Sequence, residues 1–437
     1  MLIDRGRNSS WCGKDSPKHK GLSWWGLLLW CCFPVSVSAG ELPQCTVFRW
    51  DGQAGKSTRL QELSGVDNLR FEADVVTGTQ GAEQVRLLRK DIWRIEWRLP
   101  GREHPHPGKG QQLQVGRDDR WTFESIAFQD DAFQVFHRPG KPPVSFSLEH
   151  VPAVFWSQPR YGLPFPGERS ETSVLADRLL LKNGDQLQGT LGALDKSGLT
   201  MQAEFGDLVL PLSQLRELRL NPLLLSPPEI PETAVIVALH DETVLTAGDV
   251  RIAQNSHALE VTLPGGQAME WSLAEVRSLT FCSPATRPLT WLPVLEATQE
   301  SYLGRRSPIL QGAAATGTPI VVQGKTYPLG LGVRSGSRVI VQLPVGAQEF
   351  WCVVGLDEVA RGRGMVTIQV KGASATGEDR ELFPETLLSA ANSPLLLGPL
   401  AVRELDTLTL QTNYGPQADI LDVIDWCLPT VRVAQSP

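Results

Sequence analysis

The sequence predicts an all-β protein, four small β repeats followed by a larger antiparallel sandwich. Three observations lead there. Forty Gly and 32 Pro in 437 residues, with only 20% charged residues, break long helices and favour short strands joined by turns. Four segments in the first two thirds end on one spacing of apolar residues. The last third carries runs of β-branched or alternating apolar residues separated by Gly, Pro, Asn or Asp. A chain of this length holds about two to four domains, each able to bury a core.

The N-terminus reads as an address. Arg5, Arg7, Lys14, Lys18 and Lys20 make a basic opening, and an apolar run follows from Leu22 through Trp24-Trp25 and Leu27-Leu28-Leu29-Trp30 to Val37. Val37-Ser38-Ala39 places small residues where a signal peptidase cuts, so residues 1–39 are expected to leave after Ala39. The alternative is an uncleaved anchor, since the 18 residues from Leu22 to Ala39 just reach across a bilayer. Pro34 and the small residues after it favour cleavage. The expected location is secreted, periplasmic or in the cell envelope, with no membrane span in the mature chain.

The repeats come next. Leu148, Val151, Val154 and Trp156 lie at offsets 0, 3, 6 and 8, as do Leu212, Leu215, Leu218 and Leu220, and Leu273, Val276, Leu279 and Phe281. A weaker copy runs Arg89, Ile92, Ile95, Trp97. The offset of three fits one tight helical turn, and the closing pair fits a strand. The clearest opening is Arg178–Leu191, where Asn183-Gly184 predicts a hairpin because both residues accept positive φ. A second hairpin places Leu199-Thr200-Met201 against Leu208-Val209-Leu210 around Phe205-Gly206. Pro and Gly concentrate between the units, which are expected at 44–98, 111–156, 177–220 and 233–282. Each is poor in apolar residues and is expected to lean on its neighbours as scaffold, as stacked repeats do.

In the region 285–437, Val339–Leu343, Phe350–Val354, Val366–Val370 and Leu408–Thr412 are the clearest of about eight strands, a pattern that suits an antiparallel sandwich. Four cysteines remain once the leader goes: Cys45, Cys282, Cys352 and Cys427. An even number in an exported chain permits two disulfides, preferably Cys352 with Cys427, on strands of one domain, and Cys45 with Cys282. Four buried thiols are the alternative reading.

Nothing in the sequence points to catalysis or to an anionic partner. The net charge of −7 offers no reason to bind nucleic acid or an acidic membrane. His104 and His106 sit in a Pro/Gly loop, while His137, His150, His240 and His257 scatter over different repeats. No Gly-x-Ser-x-Gly turn or phosphate-cradling loop is present, and Asp118-Asp119 and Asp130-Asp131 read as turn residues. No enzyme activity and no cofactor is expected.

Three pieces of the last third belong together: Gly324–Ser335, then Val354-Gly355-Leu356-Asp357-Glu358, then Asp422-Val423-Ile424-Asp425-Trp426. In order and spacing they resemble the NPCBM family of carbohydrate-binding modules. Its pattern of Tyr-x-x-Gly-[Leu/Ile]-Gly-Val, Val-Gly-x-Asp and a final Asp-Trp strand is met by Tyr327, Gly330, Gly332 and Val333, by Val354, Gly355 and Asp357, and by Asp425 and Trp426. The resemblance implies a jelly-roll-like sandwich related to galactose-binding folds, preceded here by repeats that resemble Sm-like or tudor-like barrels. It implies non-catalytic binding of a glycan or polysaccharide, with Arg334, Asp357, Asp425 and Trp426 as the ligand-binding residues. The alternative is a structural module that docks a protein of the cell envelope.

One position departs from the family, which usually has His where this chain has Arg334; a guanidinium still donates to sugar hydroxyls through its planar fork. The matched glycines read as structural. Trp426 is either a platform for a sugar face or a core residue of the final strand. Asp357, Glu358, Asp422 and Asp425 are oxygen ligands that suit calcium. Solvated loop charges, or an ion pair of Arg334 with Asp357 or Asp425, are the plainer readings.

Overall fold

A computed structural model describes residues 44–51, 59–72, 74–97, 111–157, 163–164, 176–226, 228–252, 257–300, 302, 307–360, 363–418 and 420–434. The expected leader 1–39, with its three cysteines, and the loop holding His104 and His106 lie outside them. Among the described residues every regular element is a strand or a three-residue 3-10 turn, so the chain is all-β.

The shared ending of the first two thirds has a backbone cause. In each copy the amide at offset 3 (Ile92, Val151, Leu215, Val276) donates to the carbonyl at offset 0 (Arg89, Leu148, Leu212, Leu273), closing one tight turn. The strand that follows pairs with the first strand of the same unit, as in Val47↔Ile95, Leu113↔Val154, Leu179↔Leu218 and Val237↔Leu279. In three copies the register shifts just after the turn, at Phe48/Arg49, Leu180/Leu181 and Ala238/Leu239. A bulge of this kind lets residues three apart face the same side. Ile92 and Ile95, Leu215 and Leu218, and Val276 and Leu279 are all buried accordingly.

The closing strands also pair between units, and not between chain neighbours throughout. Ile95 faces Leu279, and Val154 faces Leu218. Each pairing is antiparallel and centred on the offset-6 residues of both partners, so the first copy joins the fourth and the second joins the third as two-fold-like pairs. With the further pairing Val244↔Arg120 between the fourth and second units, these links give one 19-stranded network, while the fourth unit's strands Asp249–Ile252, Ala258–Thr262 and Ala268–Ser272 form a separate three-stranded sheet. Asn183-Gly184 turns differently from the expectation: Gly184 takes φ +95°, while the Asn183 side chain accepts from the Asp185 amide. One residue with positive φ suffices there.

The last third folds into two facing antiparallel sheets. One orders Leu310–Gln311, Gly330–Arg334, Val423–Val433, Ala347–Leu356 and Leu395–Ala401; Leu163–Pro164 and Thr286–Pro288 add to it. The other orders Val294–Gln299, Ser337–Gln342, Thr407–Tyr414, Met365–Ala373 and Asp379–Ser389. Leu331, Val333, Phe350, Cys352, Val354, Ile424 and Trp426 fill the space between them.

The outer face of the first sheet is also covered. Trp351 packs tilted against Trp50, and Trp50 against Trp93, each at 5.2 Å between centroids. Cys427, Ile236 and Val244 join the same cluster. The sandwich is thus seated on the first and fourth units. This arrangement also excludes the expected disulfides: all four cysteines are free and buried. Cys427 pairs in register with Val353, so its side chain faces outward, whereas Cys352 points into the sandwich core. Cys45 and Cys282 are likewise in different clusters. Here the alternative reading, four buried thiols, describes the molecule.

Candidate functional site

The first half of the Gly324–Ser335 segment is a docking surface. Lys325–Tyr327 pairs with Ile320–Val322 as a hairpin whose Ile320, Val322, Tyr327 and Leu329 pack into the cluster with Trp50, Trp93 and Ala234. Lys325 Nζ lies 2.9 Å from Glu96 and 5.5 Å over the Phe48 ring.

The next strand explains its glycines. A Cβ on Gly332 would stand 2.2 Å from the Ala313 carbonyl oxygen and 2.4 Å from Ala314 Cα. On the far side of the final strand, a Cβ on Gly355 would meet Val322 Cγ1 at 2.3 Å. Both glycines pair with Asp425, which therefore sits between two bare positions under the Ala313–Ala314 segment and the hairpin. Asp425 is 0% exposed, and its partner is the neighbouring carboxyl of Asp357, to which a protonated Asp425 donates a hydrogen bond. Burial, then the charge and the hydrogen bond of the neighbouring Asp357, raise its pKa well above the ordinary aspartate value, which favours the neutral form.

Asp357 is also buried, accepts from the amides of Val359 (2.8 Å) and Val321 (3.4 Å), and is shifted upward by burial. Exposed Glu358 accepts from the Gly324 amide at 3.3 Å. These two carboxyls tether the hairpin to the end of the sheet. Asp422, 0% exposed, accepts from the Met365 amide at 3.2 Å. The reading of solvated loop charges therefore fails for Asp357, Asp422 and Asp425, which lie under chain segments that approach from elsewhere in the fold. Among the described residues no ion pair joins Arg334 to Asp357 or Asp425, and no group of three metal-binding side chains gathers.

Trp426 takes the core alternative. It is 1% exposed, and its Nε1 donates to Thr412 Oγ1, 3.3 Å away in the facing sheet. An indole enclosed on both faces offers no platform to a sugar.

Arg334 is placed differently. It ends its strand half-buried, with an Nε that has no hydrogen-bond partner among the described residues. The following turn, Ser335-Gly336, meets the chain around Glu300: the Glu300 amide donates to the Gly336 carbonyl at 2.8 Å, and Tyr414 OH donates to the Glu300 carbonyl. Tyr302, 63% exposed, stands edge-on to Tyr414 with centroids 5.7 Å apart. This end of the sandwich thus carries a half-buried guanidinium, whose unpaired Nε is itself buried, and an aromatic pair of which Tyr302 is the exposed member. Neither tyrosine was singled out from the sequence. The available signal was slight: only four Tyr occur in the chain, and two of them stand at chain turns bordering this rim.

Residues 288–432 match the NPCBM/NEW2 domain. The NPCBM/NEW2 segment takes in both sheets from Leu289 onward and all four residues singled out above. No curated protein matches the chain. Among solved structures, it is similar to CBM51-2 and INT domains of Clostridium perfringens ZmpB in complex with GlcNAc, at 19% identity over 43% of this chain and 40% of that one, TM-score 0.30. It is also similar to CBM51 from Clostridium perfringens GH95 in complex with methyl-galactose, at 18% identity over 33% of this chain and 99% of that one, TM-score 0.29. The tandem CBM51 modules of Sp3GH98, a family 98 glycoside hydrolase of Streptococcus pneumoniae, are 10% identical over 74% of this chain and 88% of theirs, TM-score 0.28. The chain spans about two fifths of the length of the ZmpB structure.

The doublet Asp118-Asp119, expected as plain turn residues, has a larger part. Asp118 is 6% exposed and accepts from Trp291 Nε1 and Gln311 Nε2, both at 2.9 Å. Asp119 accepts from the Thr246 amide at 2.9 Å and its hydroxyl at 2.7 Å. Arg120 donates to the carbonyls of Gly312 and Pro328. Three consecutive residues of the second unit thus hold the fourth unit and the sandwich. Asp130 and Asp131 are turn residues, with φ of 50° and 56° in a hairpin.

Proposed function

We propose that the NPCBM/NEW2 sandwich holds a glycan, without altering it, at the loop end that carries Arg334, Tyr302 and Tyr414. The observation that carries this reading is the NPCBM/NEW2 match over residues 288–432, together with a sheet whose outer face is already occupied. That leaves the loop end for a ligand. A sugar presents hydroxyls that a guanidinium fork serves and an apolar C–H face that suits an aromatic ring. Asp357, Asp425 and Trp426 act from behind as positioning residues: they hold the hairpin and the two sheets on which the rim is built. A non-catalytic role is supported by the match of residues 288–432 to a carbohydrate-binding-module family. Export to the envelope or beyond is supported by the basic-then-apolar opening that ends at Ala39. A protein partner of the envelope is the second reading, favoured by Ile420, 62% exposed beside the same rim.

A glycan array with the purified protein, followed by affinity electrophoresis, tests this. Arg334→Ala and Tyr302→Ala are each expected to weaken retention at least tenfold. Retention on no glycan, or retention that both variants leave unchanged, would remove the sugar-binding reading.

A further inference from the structure

A second concave site lies away from the rim, at the junction of the second unit, the fourth unit and the sandwich. It is a cavity of about 280 Å³, close to the lower size of small-ligand sites. Asp118, Asp119 and Thr246 line it from one side, and Val115, Pro228, Pro264 and Trp291 supply apolar walls. One wall is locked: Gly116 has φ +56°, and a Cβ there would come within 3.1 Å of Pro228 Cδ.

The hydrogen bonds define what the cavity still offers. Each of the four carboxyl oxygens of Asp118 and Asp119 already accepts one protein donor, from Trp291, Gln311 or Thr246. Those bonds hold both carboxyl planes in place, and each oxygen keeps a second lone pair. The N–H of Trp291 is spent on Asp118, so its ring contributes apolar surface. Thr246 donates its hydroxyl proton to Asp119 and retains only acceptor capacity toward a ligand. Arg117, at the exposed edge, is the one basic side chain among the lining residues, and Glu229 opposes it with another negative charge. The site is rich in acceptors, short of donors and net negative.

We propose that this cavity binds a small organic cation, a protonated primary amine carried on an apolar or sugar-like body. An ammonium brings three donors and a full charge, which matches two preoriented carboxyls and forms charge-assisted hydrogen bonds. The prolines, Val115 and Trp291 cover its carbon skeleton. Burial pushes Asp119 up to about 7 and shifts Asp118 upward as well, although Arg120 beside both acids and Arg117 beside Asp118 pull the other way. Asp118, Arg117, Arg120 and Glu229 are the other charged groups around Asp119, and the nearer guanidinium, that of Arg120, is turned to the Gly312 and Pro328 carbonyls. An arriving ammonium favours the ionised form of Asp119, so binding near pH 6 releases a proton.

Calorimetric titration of the purified protein with glucosamine, n-butylamine and glucose tests the site. One or both amines are expected to bind at least tenfold more tightly than glucose, with a heat at pH 6 that changes with the ionisation enthalpy of the buffer. The two amines tell a sugar-like body from an apolar one. Asp119→Asn is expected to weaken the amine at least tenfold. Ile230→Trp fills the mouth, where Ile230 is 42% exposed, without removing a hydrogen bond, and is expected to abolish binding with an unchanged melting temperature. Failure of both amines to bind, glucose binding as well as they do, or amine binding that survives Ile230→Trp would each overturn the assignment. The rim variant Arg334→Ala is expected to leave amine binding intact, so this site and the glycan rim stand or fall separately.

Discussion

Replacing Trp426 with Ala separates a core indole from a ligand platform. A buried Trp removes about 200 Å² from water, worth about 5 kcal/mol at 25 cal/mol per Å². Its hydrogen bond to Thr412 adds about 1 kcal/mol. An extended reference chain overstates burial, by roughly a tenth to two fifths, which brings the expected cost to about 4 kcal/mol. That agrees with the range of about 3–5 kcal/mol for deleting a large aromatic from a core. Trp426→Phe keeps most of the ring and is expected to cost about half as much. Urea denaturation followed by far-UV circular dichroism measures both, and it avoids the fluorescence of the other twelve tryptophans. Glycan retention is measured in parallel on the folded Trp426→Phe variant and is expected to persist. If Trp426→Ala changes stability by less than about 0.5 kcal/mol and abolishes retention, the indole is a ligand surface and the core assignment is wrong.

Two further outcomes follow from the environment of Asp425. Gly332→Ala forces a Cβ to 2.2 Å from the backbone oxygen of Ala313, which has no rotamer by which to withdraw, and is expected to cost about 3 kcal/mol in the same denaturation assay. Gly192→Ala, with nothing nearer than 3.4 Å, is the control and is expected to stay within about 0.5 kcal/mol. Asp425 has a folded pKa raised above its unfolded value, so the folded state keeps a proton that the unfolded chain releases above about pH 4. Its contribution is fully present below that pH and declines as pH rises toward the folded value. Asp425→Asn removes this dependence, so the stability gap between variant and wild type is expected to move in the variant's favour from pH 4 to pH 8. A gap that stays constant over that range would show that Asp425 is ionised in the fold.

Much of the fold was legible because its causes are local. The turn from offset 0 to offset 3 is one hydrogen bond between near neighbours, and Leu199–Met201 against Leu208–Leu210 is a hairpin that its own residues specify. The site was less legible. Asp425 and Trp426 are adjacent on one strand and point to opposite faces, and the sequence shows that they differ without showing what each meets. Asp118 looks like any polar turn residue until Trp291 and Gln311 arrive from more than 170 residues away.

By itself the sequence determined the all-β class, the strands, the repeated turn and the three family pieces of the last third, all of which follow from short-range backbone chemistry and side-chain alternation. Only the tertiary structure decided that the first unit pairs with the fourth, that the outer face of the Val423–Val433 strand is sealed, and that four cysteines on different faces stay thiols. The physical reason is that alternation along a strand distinguishes its two faces, whereas burial, and with it the charge state of Asp119 or Asp425, depends on which distant segment closes over each one.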